Sequence, residues 1–106
     1  MKLSIIIPVF NEEKTVPELL KRVDRLKIDG IDKEVIVVDD GSSDHSVANI
    51  KNQISNIKNI KLIIHNSNMG KVAAVRTGIE NATGDYIIIQ DADLEYDPIQ
   101  IKELVK

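Results

Sequence analysis

Tyr86-Ile87-Ile88-Ile89-Gln90-Asp91-Ala92-Asp93 is a short apolar run that ends abruptly in two carboxylates. The run predicts a strand, and in an extended chain residues two apart point the same way with Cα atoms ~6.6 Å apart. Asp91 and Asp93 can therefore address one cation. Hard cations such as Mg²⁺ and Mn²⁺ take oxygen ligands and commonly share them with phosphates, so the pair is expected to anchor a nucleotide diphosphate through a metal. Working outward, three further β-branched runs appear at Leu3 to Val9, Glu34 to Val38 and Ile60 to Ile64. None alternates strictly, which predicts strands buried on both faces. Helical spacing separates them: Val16, Leu19, Leu20, Val23 and Leu26, then Val47, Ile50 and Ile54, then Val72, Ala73, Val75 and Ile79. Strand and helix alternate throughout, so the expected fold is α/β, Rossmann-like, with a mainly parallel sheet flanked by helices.

Local signals mark the joints. Thr15-Val16-Pro17-Glu18 has the spacing of a capping box, with Pro in the first turn. Ser43 or Asp44 is expected to cap the second helix, and Ser67 or Asn68 the third. Asp97-Pro98 opens another expected helix, Ile99 to Lys106, within which the sequence stops. The 106 residues suit one domain or part of one, and the stop inside an expected helix favours part of one. Only 3% of residues are aromatic, so Ile, Val and Leu must build the core. A net charge of -3 without a basic cluster argues against a nucleic-acid partner. The absence of cysteine excludes disulfides, thiolate zinc sites and cysteine nucleophiles. Leu3 to Phe10 is expected to be a strand and not a secretion signal, because Pro8 and Asn11-Glu12-Glu13 stand where a small-residue cleavage site belongs. No apolar stretch approaches the ~20 residues of a membrane span. The expected location is the cytoplasm, at the cytoplasmic membrane face in the intact protein, with membrane contact only through a further segment or a partner.

In an open parallel sheet, ligands bind beyond the carboxyl ends of the strands. Here those ends read Pro8-Val9-Phe10-Asn11-Glu12-Glu13, Asp39-Asp40-Gly41-Ser42-Ser43-Asp44, His65-Asn66-Ser67-Asn68-Met69-Gly70-Lys71 and Asp91-Ala92-Asp93-Leu94-Glu95. So many acids on one rim repel unless they bind cations or accept hydrogen bonds. A nucleotide meets both needs: base N–H groups to Asp39 or Asp40, ribose hydroxyls to Glu12 or Asp40, and a metal-bearing diphosphate to Asp91 and Asp93. Lys71, Arg76 and the helix amides after Gly70 would offset phosphate charge. Taken singly each feature has a plainer reading: a turn, a helix start or a loop. His45 and His65 are assigned no role.

Together, Ile5-Ile6-Ile7-Pro8-Val9-Phe10-Asn11-Glu12-Glu13, Val37-Val38-Asp39-Asp40-Gly41-Ser42-Ser43-Asp44, Asn68-Met69-Gly70-Lys71 with Ala73-Ala74-Val75-Arg76-Thr77-Gly78, and Gly84-Asp85-Tyr86 through Asp91-Ala92-Asp93-Leu94 resemble family 2 glycosyltransferases. Within that family the match is nearest the dolichyl-phosphate mannose synthase and polyprenyl-phosphate sugar transferase branch. The resemblance implies a GT-A fold whose amino-terminal half binds a GDP- or UDP-sugar. Pro8, Phe10 and Glu12 would line the nucleoside pocket, Val38 and Asp40 would hold base and ribose, and Asp91, Ala92 and Asp93 would face the diphosphate. Asp91 and Asp93 are the implied catalytic carboxylates, with Asp93 the leading ligand for Mg²⁺ or Mn²⁺, Asp91 beside it and Glu95 a second candidate. The implied reaction is metal-dependent, inverting transfer of the sugar to a polyprenyl phosphate or glycan. Val72 departs from the frequent Gly-Lys-Gly, and Phe10 from the frequent Tyr. An anionic phosphate acceptor would need no general base. The rivals are a non-catalytic nucleotide-binding or interaction module of the same fold, a phosphotransfer receiver, which expects its acidic pair after the first strand, and an Asp-x-Asp phosphatase, which expects a following Thr. The reading requires Asp40 and Asp93 to open onto one shared edge.

Overall fold

The computed structural model describes residues 1–93, 98, 99 and 101. Four parallel strands, β1 (Lys2–Val9), β2 (Asp32–Asp39), β3 (Ile60–Ile64) and β4 (Tyr86–Ile89), form one sheet in the order β3-β2-β1-β4. Helices α1 (Val16–Arg25), α2 (Ser46–Ile54) and α3 (Lys71–Glu80) make the crossovers. The order reverses at β1: β2 and β3 extend to one side, and β4 returns to the other. Such a reversal opens a crevice beyond the strand ends, where ligands bind.

The period of two along a strand sorts the core into two layers. Leu3, Ile5, Ile7 and Val9 of β1, with Val35 and Val37 of β2, pack with Val16, Leu19, Leu20 and Val23 of α1 and Ile50 of α2. On the opposite face Ile36 and Val38 pack with Ala74 of α3. Both central strands are thus buried on two sides, as expected. The outer strands are not: Tyr86, Ile87 and Ile89 of β4 and Ile64 of β3 are exposed. Their apolar character reflects strand formation at the sheet edges, where among the described residues neighbours cover only part of each surface.

The third helix also differs from the expectation. Its buried residues are Ala74 and Gly78, while Val72 is 74% exposed and Ile79 is exposed as well. Backbone proximity decides this, since a Cβ on Gly78 would lie 2.4 Å from Ile6 Cγ2. Small residues let α3 lie close on β1, and the larger apolar side chains turn outward.

Two caps are replaced by longer-range bonds. The Thr15 side chain makes no cap; its hydroxyl lies 2.6 Å from the Ala92 carbonyl oxygen and 3.0 Å from a Glu12 carboxylate oxygen, tying the α1 entry to the end of β4. Neither Ser67 nor Asn68 caps α3, which starts after Gly70 at φ 98°. The second helix has His45, not Ser43 or Asp44, at its N-cap, with no side-chain cap bond; Asp44, one residue earlier, accepts the Ser46 N–H at 2.9 Å. Among the described residues no helix is long and apolar enough to cross a membrane. The expected helix from Ile99 to Lys106 falls largely outside the described residues.

Candidate active site

A cleft of about 500 Å³ lies beyond the carboxyl ends of β1, β2 and β4, lined by Pro8, Val9, Phe10, Glu12, Asp40, Asn68, Gly70, Lys71, Ala74, Asp91, Ala92 and Asp93. Asp40 and Asp93 open onto this one space, as the sequence required. Of the residues expected at the site, Pro8, Phe10, Glu12, Asp40, Lys71, Asp91, Ala92 and Asp93 are all there. Val38 is not at the surface; it is fully buried against Ile36 and Ala74. Glu95 lies outside the described residues.

The wall is built by hydrogen bonds between loops that are distant in sequence. Asn11, at φ 51°, accepts the Ser43 N–H at 2.9 Å and donates its own N–H to Ser42 Oγ at 2.9 Å. The Glu12 N–H reaches Ser46 Oγ at 2.9 Å, and Glu13 accepts from the backbone of His45. These bonds fix the turn that presents Phe10 and Glu12. Behind it, a Cβ on Gly41 would meet the Ser67 carbonyl carbon at 2.5 Å, and the residue sits at φ 74°. Only glycine satisfies both conditions.

The acids at the end of β2 have hydrogen-bond partners within the protein. Asp39 is buried and accepts the Ser42 N–H at 2.9 Å and its hydroxyl at 2.6 Å. Asp40, 3% exposed, accepts the Met69 N–H at 2.9 Å, the Gly70 N–H at 2.8 Å and a bond from His65 Nδ1 at 2.8 Å. A carboxylate from another strand therefore holds the chain as it enters α3, where the helix dipole favours negative charge. The Met69 and Gly70 amides are thereby committed to Asp40. At Asp39 and Asp40, like-charge repulsion is relieved by the protein's own N–H and O–H donors.

Burial pushes the Asp40 carboxyl up, but its bonds from His65, Met69 and Gly70 outweigh that and hold it below the usual carboxylate range. Burial likewise opposes the shifts of Asp44, which the Ser46 and Glu13 N–H groups bring low, and of Glu34, which Thr83, Ser4 and Lys2 bring low. A carboxyl group lowered by folding adds stability above its unfolded pKa and loses it as pH falls through the folded value. Urea midpoints are thus expected to hold from neutral pH to about 4 and then to drop as acid is added. A midpoint that stays level through this acid range would contradict the assignment.

On the opposite wall, Lys71 Nζ lies 2.5 Å from Asp91 Oδ1. The hydrogen bond from Lys71 to Asp91 holds the ammonium above the usual lysine range, with the charges of Asp91 and Asp93 adding to it. Among the described residues no three His, Cys, Asp or Glu side chains gather as a complete metal cage. The donor set nonetheless fits a hard cation: Asp91 and Asp93 both line the cleft with carboxylates, and Asp91 already pairs with the Lys71 ammonium.

Sequence reasoning missed His65. Its ring links Asp40 to Thr77 of α3, Nε2 lying 2.8 Å from Thr77 Oγ1. The available signal was position: His65 directly follows β3, level with the acids that follow β2.

The model for glycosyl transferase family 2 matches residues 4–106. The chain belongs to this family. A curated relative, the undecaprenyl-phosphate 4-deoxy-4-formamido-L-arabinose transferase of Enterobacter sp. (strain 638), is 38% identical over 98% of the chain and 32% of its own length. Residues 1–349 of S. aureus TarS, solved in complex with UDP-GlcNAc, superpose with a TM-score of 0.75 at 29% identity, over 99% of this chain and 30% of that one. The mannosyltransferase PcManGT from Pyrobaculum calidifontis, in complex with GDP-Man and Mn²⁺, gives 0.75 at 27% identity, over 86% and 27%. The chain spans about a third of the length of its curated relatives. The parallel sheet is that of the GT-A fold, as the resemblance implied.

Proposed function

We propose that residues 1–106 form the donor-binding part of a glycosyltransferase that takes a sugar from a nucleoside diphosphate and gives it, with inversion, to a polyprenyl phosphate or glycan. The observation that carries this reading is the single cleft joining Phe10 and Glu12 to Asp91 and Asp93 across the β1/β4 reversal. The exposed Phe10 ring supplies an apolar surface for the nucleoside, and Glu12 an acceptor for ribose hydroxyls. Asp91 and Asp93 would hold Mg²⁺ or Mn²⁺. Such a cation supplies positive charge that stabilises a departing diphosphate. Lys71 stands beside the same wall, and by moving from Asp91 to a phosphate oxygen it offsets charge there. Binding to a polyprenyl phosphate accords with the named acceptor of the curated relative, and an acceptor already anionic needs no proton removed.

A thermal-shift panel of UDP, GDP and their sugars, each with Mn²⁺ or Mg²⁺, tests this. At a hundredfold excess over Kd, ligand adds about 2.7 kcal/mol, which raises Tm by at least roughly 10 °C in a domain of this size. The shift is expected with one nucleotide class, to need the metal, and to vanish in Asp93→Asn. No shift with any nucleotide would overturn the proposal.

A further inference from the structure

The His65 side chain is only 10% exposed and lies outside the cleft lining, yet the end of β2 and α3 meet at its ring. Nδ1 faces Asp40 Oδ1 at 2.8 Å, Nε2 faces Thr77 Oγ1 at 2.8 Å, and the backbone N–H donates to the Asp39 carbonyl at 2.9 Å. Counting hydrogens orients the ring. An ionised Asp40 only accepts, so Nδ1 carries a proton. That leaves Nε2 facing the Thr77 hydroxyl, which also lies 3.0 Å from the Ala73 carbonyl, the back-bond that helical threonine commonly makes. Both ring nitrogens are therefore engaged, one by the end of β2 and one by α3. Among the charged groups on the surrounding elements, Asp39 is bonded to Ser42, Lys71 to Asp91, and Arg76 is exposed on α3, while Asp40 bonds the ring itself.

We propose that His65 is a positioning residue whose ring, held on both nitrogens, clamps Asp40 and α3 together, setting the start of α3 against the nucleotide pocket. The effect on ligand rests on the nucleotide-binding reading above; the clamp itself does not. Without the clamp, Asp40 loses one of its three donors, and the end of β2, the segment from His65 to Gly70 and α3 no longer move as one unit.

Long-range ¹H–¹⁵N spectra of the imidazole nitrogens at neutral pH test this directly. The chain has two histidines, so His45→Gln leaves His65 as the single signal. Nδ1 is expected to show a protonated shift, as its bond to Asp40 requires, and Thr77→Val, which removes the hydroxyl, is expected to move the Nε2 signal. In calorimetric titrations of UDP and GDP with Mn²⁺, His65→Leu is expected to weaken binding about tenfold. His65→Gln, whose amide still donates to Asp40, should recover part of that loss. A bare Nδ1 on the wild-type ring, or wild-type affinity in His65→Leu, would overturn the proposal. If the wild-type chain binds neither nucleotide, the functional reading falls and the ring spectra still decide the clamp. If His65→Leu does not fold by circular dichroism, His65→Gln and the wild-type and Thr77→Val spectra carry the decision.

Discussion

Replacing Asp40 by alanine is expected to remove about 3 to 5 kcal/mol of stability, the usual result of deleting one member of a buried, hydrogen-bonded charged group. The Met69 and Gly70 amides and the His65 ring all lose their acceptor at a site whose carboxylate is only 3% exposed. Against a total of about 5 to 15 kcal/mol for an ordinary domain, that is a large fraction. Asp40→Asn keeps the volume but turns one acceptor into a donor facing donors, so it should recover only a minor part. Urea denaturation followed by circular dichroism measures both variants. A loss below about 1 kcal/mol in Asp40→Ala would mean that the three donors find other partners.

Gly78→Leu is expected to cost about 3 kcal/mol, and even Gly78→Ala should destabilise. The second half is the sharper statement, because alanine inside a helix is ordinarily about 1 kcal/mol better than glycine. Here a Cβ would meet the fully buried Ile6 side chain at 2.4 Å, so the clash exceeds the propensity gain. Pairing Gly78→Ala with Ile6→Val, which trims the opposing side chain, should be less harmful than the two single losses added together. Urea midpoints of the four chains check this. A Gly78→Ala chain more stable than wild type would show that α3 can lift from the sheet at no cost.

The four strands and three helices were legible because periodicity reports burial directly: β1 and β2 needed only their unbroken apolar runs, and α1 its stripe from Val16 to Val23. The reading of α3 failed for a physical reason. Close approach is governed by what a side chain lacks, so Ala74 and Gly78 face the sheet while a search for large apolar residues selects Val72 and Ile79. At the site, the cleft residues were legible as strand-end positions in a parallel sheet. Their division of labour was not, since Asp39, Asp40, Asp91 and Asp93 look alike in one dimension. Asp39 turned out to hold its own loop and Asp40 a helix start more than twenty residues on, because hydrogen-bond donors from Ser42, Met69 and Gly70 reach them in space. His65 and Thr77 escaped for the same reason.

Strand order also fixes a sequence of events. β1 finds β2 soon after both leave the ribosome, but its other flank has no partner until Tyr86 arrives to pair with Leu3, nearly the whole length of the chain away. Contacts so remote close late and slowly. The crevice needs Phe10 from one side of that gap and Asp93 from the other, so the cleft cannot close before that pairing is made. A nascent chain halted before Tyr86 would lack Asp91 and Asp93, and with them one side of the cleft.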